Sequence, residues 1–287
     1  MIREASFNNR VAILATMHQK ERVIAPIFEQ ELGLRVVVPP DFDTDIFGTF
    51  TRETPRPGNQ IEAVRFKAEK ALDVTGENIA IASEGSFAPH PILPYISSNR
   101  EIVILIDKEQ DIEIIGEEIS TETNHSHLVV DNAEQALKFA KKVGFPKHGL
   151  VVMCEESPKD RDNVFKGIVT EEKLVESVNF VVSESPARKA HVETDMRAMY
   201  NPTRMKNIAK ATHNLVKKIN SLCPKCSFPG FDITRRIPGL PCELCGLPTP
   251  LTKTVVYQCQ KCGFTQEKSF VDGRKSADPG QCMYCNP

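Results

Sequence analysis

The sequence predicts an α/β domain over residues 1–219, with a mixed sheet in a three-layer-like arrangement. A small zinc-ribbon domain is expected over 220–287. Three observations predict this. Short continuous apolar runs alternate with amphipathic stretches of helical period, the pattern of a sheet covered by helices. One strand pair, "EIVILID" and "DIEIIGEEIS", is separated only by Lys108-Glu109-Gln110, so at least part of the sheet is antiparallel. Beyond residue 222, eight cysteines fall in four Cys-x-x-Cys pairs.

In chain order, "VAILAT" at 11–16 reads as a buried strand. A helix should reach Leu32 and close at Gly33. Pro26 should either break it or stand at its first position. "LRVVV" is the next strand. Residues 39–58 have weak periodicity, as long functional loops do. From Asn59 the pattern turns helical, with Ile61, Val64, Ala68, Ala71 and Leu72 on one face and Gly76 at the end. "NIAIA" is a strand running into a tight turn at Ser83-Glu84-Gly85-Ser86. "DNAEQALKFAKKVGF" is a helix, with Asp131 as cap and Glu134 closing a capping box. "GLVVM", "FKGIV" and "VNFVVS" read as strands. Cys154, after "GLVVM", reads as a small buried hydrophobe. The last helix is "NPTRMKNIAKATHNLVKKIN", capped by Asn201, with Arg204, Lys206, Lys210 and Lys217 mostly outside the apolar face.

Bulk composition excludes some classes. The net charge of −2 identifies no partner. No apolar run approaches the roughly 18–20 residues that span a bilayer. The N-terminal stretch has no signal-peptide cleavage pattern, so a cytoplasmic location is expected. Residues 186–220 carry eight Lys/Arg against two Asp/Glu, a basic segment that reads equally as a solvated helix face or a phosphate contact.

Zinc prefers four soft ligands in a tetrahedron, and a Cys-x-x-Cys knuckle supplies two. The knuckles are Cys223/Cys226, Cys242/Cys245, Cys259/Cys262 and Cys282/Cys285, enough for two structural zinc ions. Fifteen residues separate the first two knuckles and nineteen the last two, so sequential pairing is expected. The nested alternative joins the inner two knuckles and the outer two. Four cysteines per ion leave no open position for catalysis, so the segment reads as a scaffold or a surface for a protein partner. Its side chains sum to +3, and two four-thiolate zinc sites bring it near −1. That is no nucleic-acid footprint.

In α/β sheets, ligands gather where parallel strands end. Glu84 ends one strand; Thr16, His18, Lys20 and Arg22 follow another; Asn59 and Glu62 open a helix. Carboxylates near cations and a helix N-terminus can form a Mg²⁺–phosphate site. The segments "ILATMHQKERVIAPIFEQELGLRVVV", "GNQIEAVRFKAEKAL" and "IAIASEGS" resemble the inosine/xanthosine triphosphate pyrophosphatases and their Maf relatives. The resemblance implies Glu84 and Glu62 as catalytic carboxylates holding Mg²⁺ or Mn²⁺. It also implies a nucleotide bound by Thr16, His18, Lys20, Arg22 and Asn59, and a Mg-dependent nucleotide phosphohydrolase. The sequence departs from that family: His18 stands where Asn is usual, and a single Glu84 replaces paired acidic residues. A non-catalytic nucleotide- or partner-binding protein is the alternative, with RNA binding ranked below both. The chain as a whole, through "TDMRAMYNPTRM" and "GLPCELCGLPT", also resembles a bacterial family known only as a domain of unknown function.

Other patterns are weaker. Asp41, Asp43 and Asp45 have calcium-loop spacing, but Arg52 stands where the closing Glu belongs. His125 and His127 have the spacing to face one way on a strand, and read as a solvated pair rather than as metal ligands.

Overall fold

The computed structural model describes residues 7–40, 42, 58–154 and 164–287. The calcium-like spacing at Asp41, Asp43, Asp45 and Arg52 lies outside the described residues. Two compact units are distinguished, Phe7–Val216 and a C-terminal unit that begins at Lys217.

The first unit contains a five-stranded mixed sheet of order β2-β1-β3-β4-β5, formed by β1 (Val11–Ala15), β2 (Arg35–Val37), β3 (Ile79–Pro89), β4 (Ser97–Asp107) and β5 (Ile112–Ser120). The first three strands are parallel; β4 and β5 return antiparallel. Helix α1 (Glu21–Leu32) joins β1 to β2, and α2 (Gln60–Thr75) precedes β3. Val64, Ala68, Ala71 and Leu72 of α2 pack on Ala80, Ala82, Ile102 and Ile104 of one sheet face. Helix α5 (Pro202–Ile219) crosses the opposite face at Gly116, where a Cβ would lie 2.5 Å from the Leu215 side chain. The layers are therefore helix, sheet, helix, as the alternation of elements predicts.

Pro26 lies inside α1, not at its start. The ring leaves one carbonyl of the first turns without its partner, and burial of Ile24, Ile27 and Phe28 on the same helix offsets that loss. Gly33 closes the helix at φ 63°.

The mixed sheet matches the expectation, and a second sheet adds to it. A separate antiparallel sheet of order β6-β9-β7-β8 is formed by β6 (His127–Val130), β7 (Leu150–Met153), β8 (Val164–Ile168) and β9 (Ala190–Thr194). Helices α3 (Ala133–Val143) and α4 (Glu171–Glu184) cover one face of it with Phe139, Ala140, Leu174, Val178 and Val181. "VNFVVS", read as a strand, is the second half of α4. Its Val178 and Val181 continue a buried helical stripe from Leu174, which packing rewards over local strand preference. Asn132, not Asp131, caps α3 by accepting from the Gln135 amide, and Glu134 instead pairs with Lys138. Cys154 packs against this core as a partly buried residue.

The C-terminal unit is a three-stranded antiparallel meander of β10 (Asp232–Pro238), β11 (Thr252–Gln258) and β12 (Thr265–Ser269). Apart from cysteines, its buried apolar residues among those described are Ile219, Phe228, Phe231, Leu240, Val255, Val256 and Ala277, a small core for its length. Among the described residues no helix is long and apolar enough to cross a membrane.

Candidate functional site

Each cysteine knuckle folds the same way for a local reason. The carbonyl of its first cysteine accepts from the amide four residues on: Ser227, Gly246, Gly263 and Asn286. That fourth position has positive φ at Ser227 (56°), Gly246 (73°) and Gly263 (68°), which favours glycine there. In three knuckles the first cysteine's amide also donates to the carbonyl five residues on: Phe228, Leu247 and Phe264. These turns aim two sulfurs the same way.

The sulfurs converge in two groups, Cys223/Cys226/Cys259/Cys262 and Cys242/Cys245/Cys282/Cys285, each within 4.8 Å. The pairing is thus neither sequential nor nested but interleaved. Four sulfurs about 2.3 Å from a tetrahedral zinc stand about 3.8 Å from one another. Here Cys223–Cys262 is 3.7 Å, Cys226–Cys259 3.6 Å, Cys242–Cys285 3.8 Å and Cys245–Cys282 3.7 Å. Such distances are far beyond a disulfide's 2.03–2.05 Å and fit zinc. Hydrogen bonds from the Phe264 and Tyr284 amides lead in pulling Cys262 and Cys282 down to about 7. Cys226 rises to about 12: the Phe228 amide lowers it, but burial and the neighbouring thiols prevail. Cys285 also rises to about 12, led by its hydrogen bond with Cys245.

The meander explains the interleaving. Asp232 pairs with Gln258 in β10–β11, which sets the third knuckle beside the first. At the other end, Pro238 pairs with Thr252, and Thr254 pairs with Ser269 at the close of β12. The chain leaves β12 near the second knuckle, and a Cys242–Ala277 bridge leads the fourth knuckle to it. Odd and even knuckles therefore collect at opposite ends of the sheet.

In the first unit, the segment 83–86 is not a tight turn. β3 runs on to Pro89 and pairs with β4 throughout, so its side chains alternate between faces. Glu84 points to the α2 face and meets Lys67 at 2.5 Å, both buried. Gln60 holds the same place by donating to the Glu84 carbonyl at 2.8 Å and accepting from Ser86 Oγ at 3.0 Å. On the other face, Arg204 of α5 donates to Glu101 at 2.7 Å and to the Met196 carbonyl at 2.6 Å. Gly85 makes room for this pair: a Cβ there would lie 2.6 Å from Glu101 Oε1 and closer still to the guanidinium. Asn99 donates to Glu101 at 2.9 Å.

Lys20 lies on that second face too. Its ammonium donates to Ser83 O at 3.2 Å and Ser83 Oγ at 3.0 Å. It is 6% exposed, and among the described residues no carboxylate stands within ion-pair distance of it. Burial leads in pushing its pKa from 10.5 to about 7. Arg204 and then Lys67 push the same way, against the pull of Glu101 and Glu84. Among the described residues, Lys67 pairs with Glu84 on the α2 face, and Arg204 pairs with Glu101 on the face that Lys20 shares.

The expected residues separate in the structure. Lys20 and Glu84 belong to this cluster. Thr16 is buried beside it in sequence and accepts from the His18 amide at 3.3 Å. Arg22 is exposed. Asn59 and Glu62 are joined in a capping box: Asn59 accepts from the Ile61 and Glu62 amides, and Glu62 accepts from the Asn59 amide at 2.8 Å. His125 and His127 do not form a pair; the first stacks on Phe87 and the second on His191. Lys67, Glu101 and Arg204 were not singled out from the sequence. A signal existed for two of them, because Lys67 and Arg204 fall inside the apolar stripes of their helices, at Val64–Lys67–Ala71 and Arg204–Ile208–Ala211. Arg204 corrects the expectation that it lies off the buried face of the last helix.

No curated protein matches the chain. The family match covers residues 67–287, including Lys67, Glu84, Glu101, Arg204 and all eight knuckle cysteines, while Lys20 precedes it. By that match, which spans more than half its length, the chain belongs to the family described as Domain of unknown function (DUF6671).

Proposed function

We propose that the first unit binds a phosphorylated small molecule, a nucleotide in the first instance, at Lys20, and that the C-terminal unit is a zinc-structured scaffold. One observation carries the anion reading. Among the described residues, Lys20 is a buried ammonium with no carboxylate within ion-pair distance, at the start of α1 just beyond β1, where α/β ligands gather. A phosphate oxygen would set a negative charge against this ammonium.

Hydrolysis with Mg²⁺ or Mn²⁺ is the narrower reading that the pyrophosphatase resemblance implies. The carboxylates it requires fit a metal poorly: Glu84 is matched by Lys67, and Glu62 is bound into a helix cap. We therefore favour binding over hydrolysis.

A protein-docking role for the C-terminal unit is favoured by Leu244, Met283 and Tyr284. These knuckle residues of the second tetrad are large, apolar and mostly exposed. RNA binding through residues 186–220 loses support, because Arg204 is buried on Glu101 and Arg197 is paired with Asp195.

Calorimetry of pyrophosphate and nucleoside triphosphates, with and without Mg²⁺, tests the anion reading on zinc-loaded protein. Binding weakened at least about tenfold in Lys20→Met is the expected result, equivalent to about 1.4 kcal/mol. Equal affinity of both proteins would overturn it. The same titrations assayed for phosphate and pyrophosphate release, with Glu84→Gln alongside, decide the hydrolytic reading: turnover that depends on Glu84 would restore it.

A further inference from the structure

We propose that the end of the β3–β4 hairpin is a self-association surface, on which two copies of this chain insert Ile92 into each other's pocket beside Phe87. This surface is independent of the anion reading above, since Lys20 takes no part in it.

The hairpin end stands clear of the rest of its sheet. β1 pairs with β3 only over Ala80–Ala82, and β5 pairs with β4 only from Asn99 onward. Among the described residues, Ala88–Pro89 and Ser97–Ser98 have no strand neighbour but each other. Turns are usually built from Gly, Pro, Asn, Asp and Ser. Here the connection carries Ile92, Leu93, Tyr95 and Ile96, all exposed. Ile92 is 82% exposed and Tyr95 99%, so these side chains add nothing to the core. Contiguous apolar surface of this kind marks a contact site.

The tip is held in one shape. The His90 amide donates to the Ile96 carbonyl at 2.7 Å, and the Ile96 amide donates to the Leu93 carbonyl at 3.0 Å. The Ile92 and Leu93 amides both donate to His90 Nδ1 at 3.2 Å. Pro91 and Pro94 fix their own φ. A surface shaped before contact loses little conformational entropy on binding.

Two observations select a second copy as the occupant. The first is charge. Ser86–Asn99 contains no Asp, Glu, Lys or Arg, in a chain that is 26% charged. Two copies meeting through a charged patch set like charges against each other, and an uncharged patch removes that penalty. It also gives an acidic or basic partner nothing to recognise. The second is that knob and hole lie on the same patch. A pocket of about 200 Å³, lined by Phe87, Pro89, Pro94, Tyr95, Ser97 and His125, opens beside the tip. An apolar cavity of about 150 Å³ holds a benzene ring, so this one has room for an isoleucine side chain. A two-fold axis through the hairpin ends repeats every contact, so Ile92 of each copy fills the pocket of the other. A tyrosine buries roughly 150–250 Å². With Ile92, Leu93 and Ile96 added, each copy approaches the roughly 600 Å² a side at which weak interfaces give way to standard ones. The dimer should accordingly be reversible, with a dissociation constant on the order of 10 μM.

Sedimentation equilibrium of the full zinc-loaded chain, at concentrations spanning about tenfold either side of that constant, tests this. The average mass should climb from 32.0 kDa towards twice that value. Ile92→Asp should weaken association at least about tenfold with an unchanged circular dichroism spectrum, because the side chain lies outside the core. Ser97→Phe should weaken it as well, by filling the pocket from its exposed rim, whereas a merely adhesive patch would associate more tightly with the added ring. Leu244→Asp, on the C-terminal unit, should leave association unchanged. A chain that stays at 32.0 kDa throughout would overturn the proposal, and its flotation with phosphatidylcholine vesicles would assign the tip to a lipid surface instead. Association that survives Ile92→Asp, or tightens in Ser97→Phe, would overturn the exchange of knob and pocket. Association lost in Leu244→Asp would place the contact at the zinc knuckles and overturn it too.

Discussion

Replacing Lys20 by Met should stabilise the first unit at neutral pH, and by an amount that depends on pH. The ammonium is buried with no carboxylate partner among the described residues, and its pKa falls from 10.5 to about 7 on folding. At about 1.4 kcal/mol per unit, that drop sets a ceiling of about 5 kcal/mol on the penalty of holding the charge inside. Because the folded-state pKa is the lower one, the unfolded chain holds a proton that the folded chain lacks between pH 7 and 10.5. Wild-type stability therefore rises with pH through that window, and the full penalty applies below it. Met fills similar space without charge, so the variant should lead at pH 6.5. The lead should shrink by about 2 kcal/mol between pH 7 and 9. Urea unfolding by far-UV circular dichroism, in phosphate-free buffer with zinc present, reads this directly, since the chain has no tryptophan. With an m-value of about 2 kcal/mol/M, the difference in midpoint should change by about 1 M across the window. A constant difference from pH 7 to 9 would mean that Lys20 keeps its proton, and the account of the cluster would be wrong.

Other perturbations give separate readings. Zinc content distinguishes the pairings: Cys223→Ser with Cys259→Ser should leave one zinc per chain, and Cys223→Ser with Cys242→Ser should leave none, whereas sequential pairing predicts the reverse. Arg204→Met strands the Glu101 carboxylate at 0% exposure and should cost about 3–5 kcal/mol in urea unfolding; a loss below about 1 kcal/mol would show that the pair is not buried in solution. Gly85→Ala forces a methyl against the same pair and should cost about 1–3 kcal/mol, with no such cost at Gly246→Ala from contacts, since nothing lies within 4 Å of that position.

The sequence by itself determined the elements whose signals are local. The apolar runs of β1, β3 and β4, the Asn59 and Asn201 helix starts, the Gly33, Gly76 and Gly144 stops and the short β4–β5 turn follow from nearest-neighbour chemistry. So do the cysteine knuckles, because each is a turn closed within five residues. Lys20 and Glu84 were legible as charges following apolar runs, although β3 continues through Glu84 to Pro89. Their surroundings were not, because Lys67 reaches Glu84 from 17 residues away, Lys20 reaches Ser83 from 63, and the neighbouring Arg204–Glu101 pair spans 103. A carboxylate that looks ready for a metal becomes half of an ion pair once a helix packs over it. Tertiary structure alone decided the division into two sheets, the helical state of "VNFVVS" and the zinc pairing. Spacing of fifteen and nineteen residues permits sequential sites, but antiparallel strands return the chain to its starting end, so alternate knuckles meet. The length of a strand, invisible in the cysteine spacing, sets which four sulfurs share an ion.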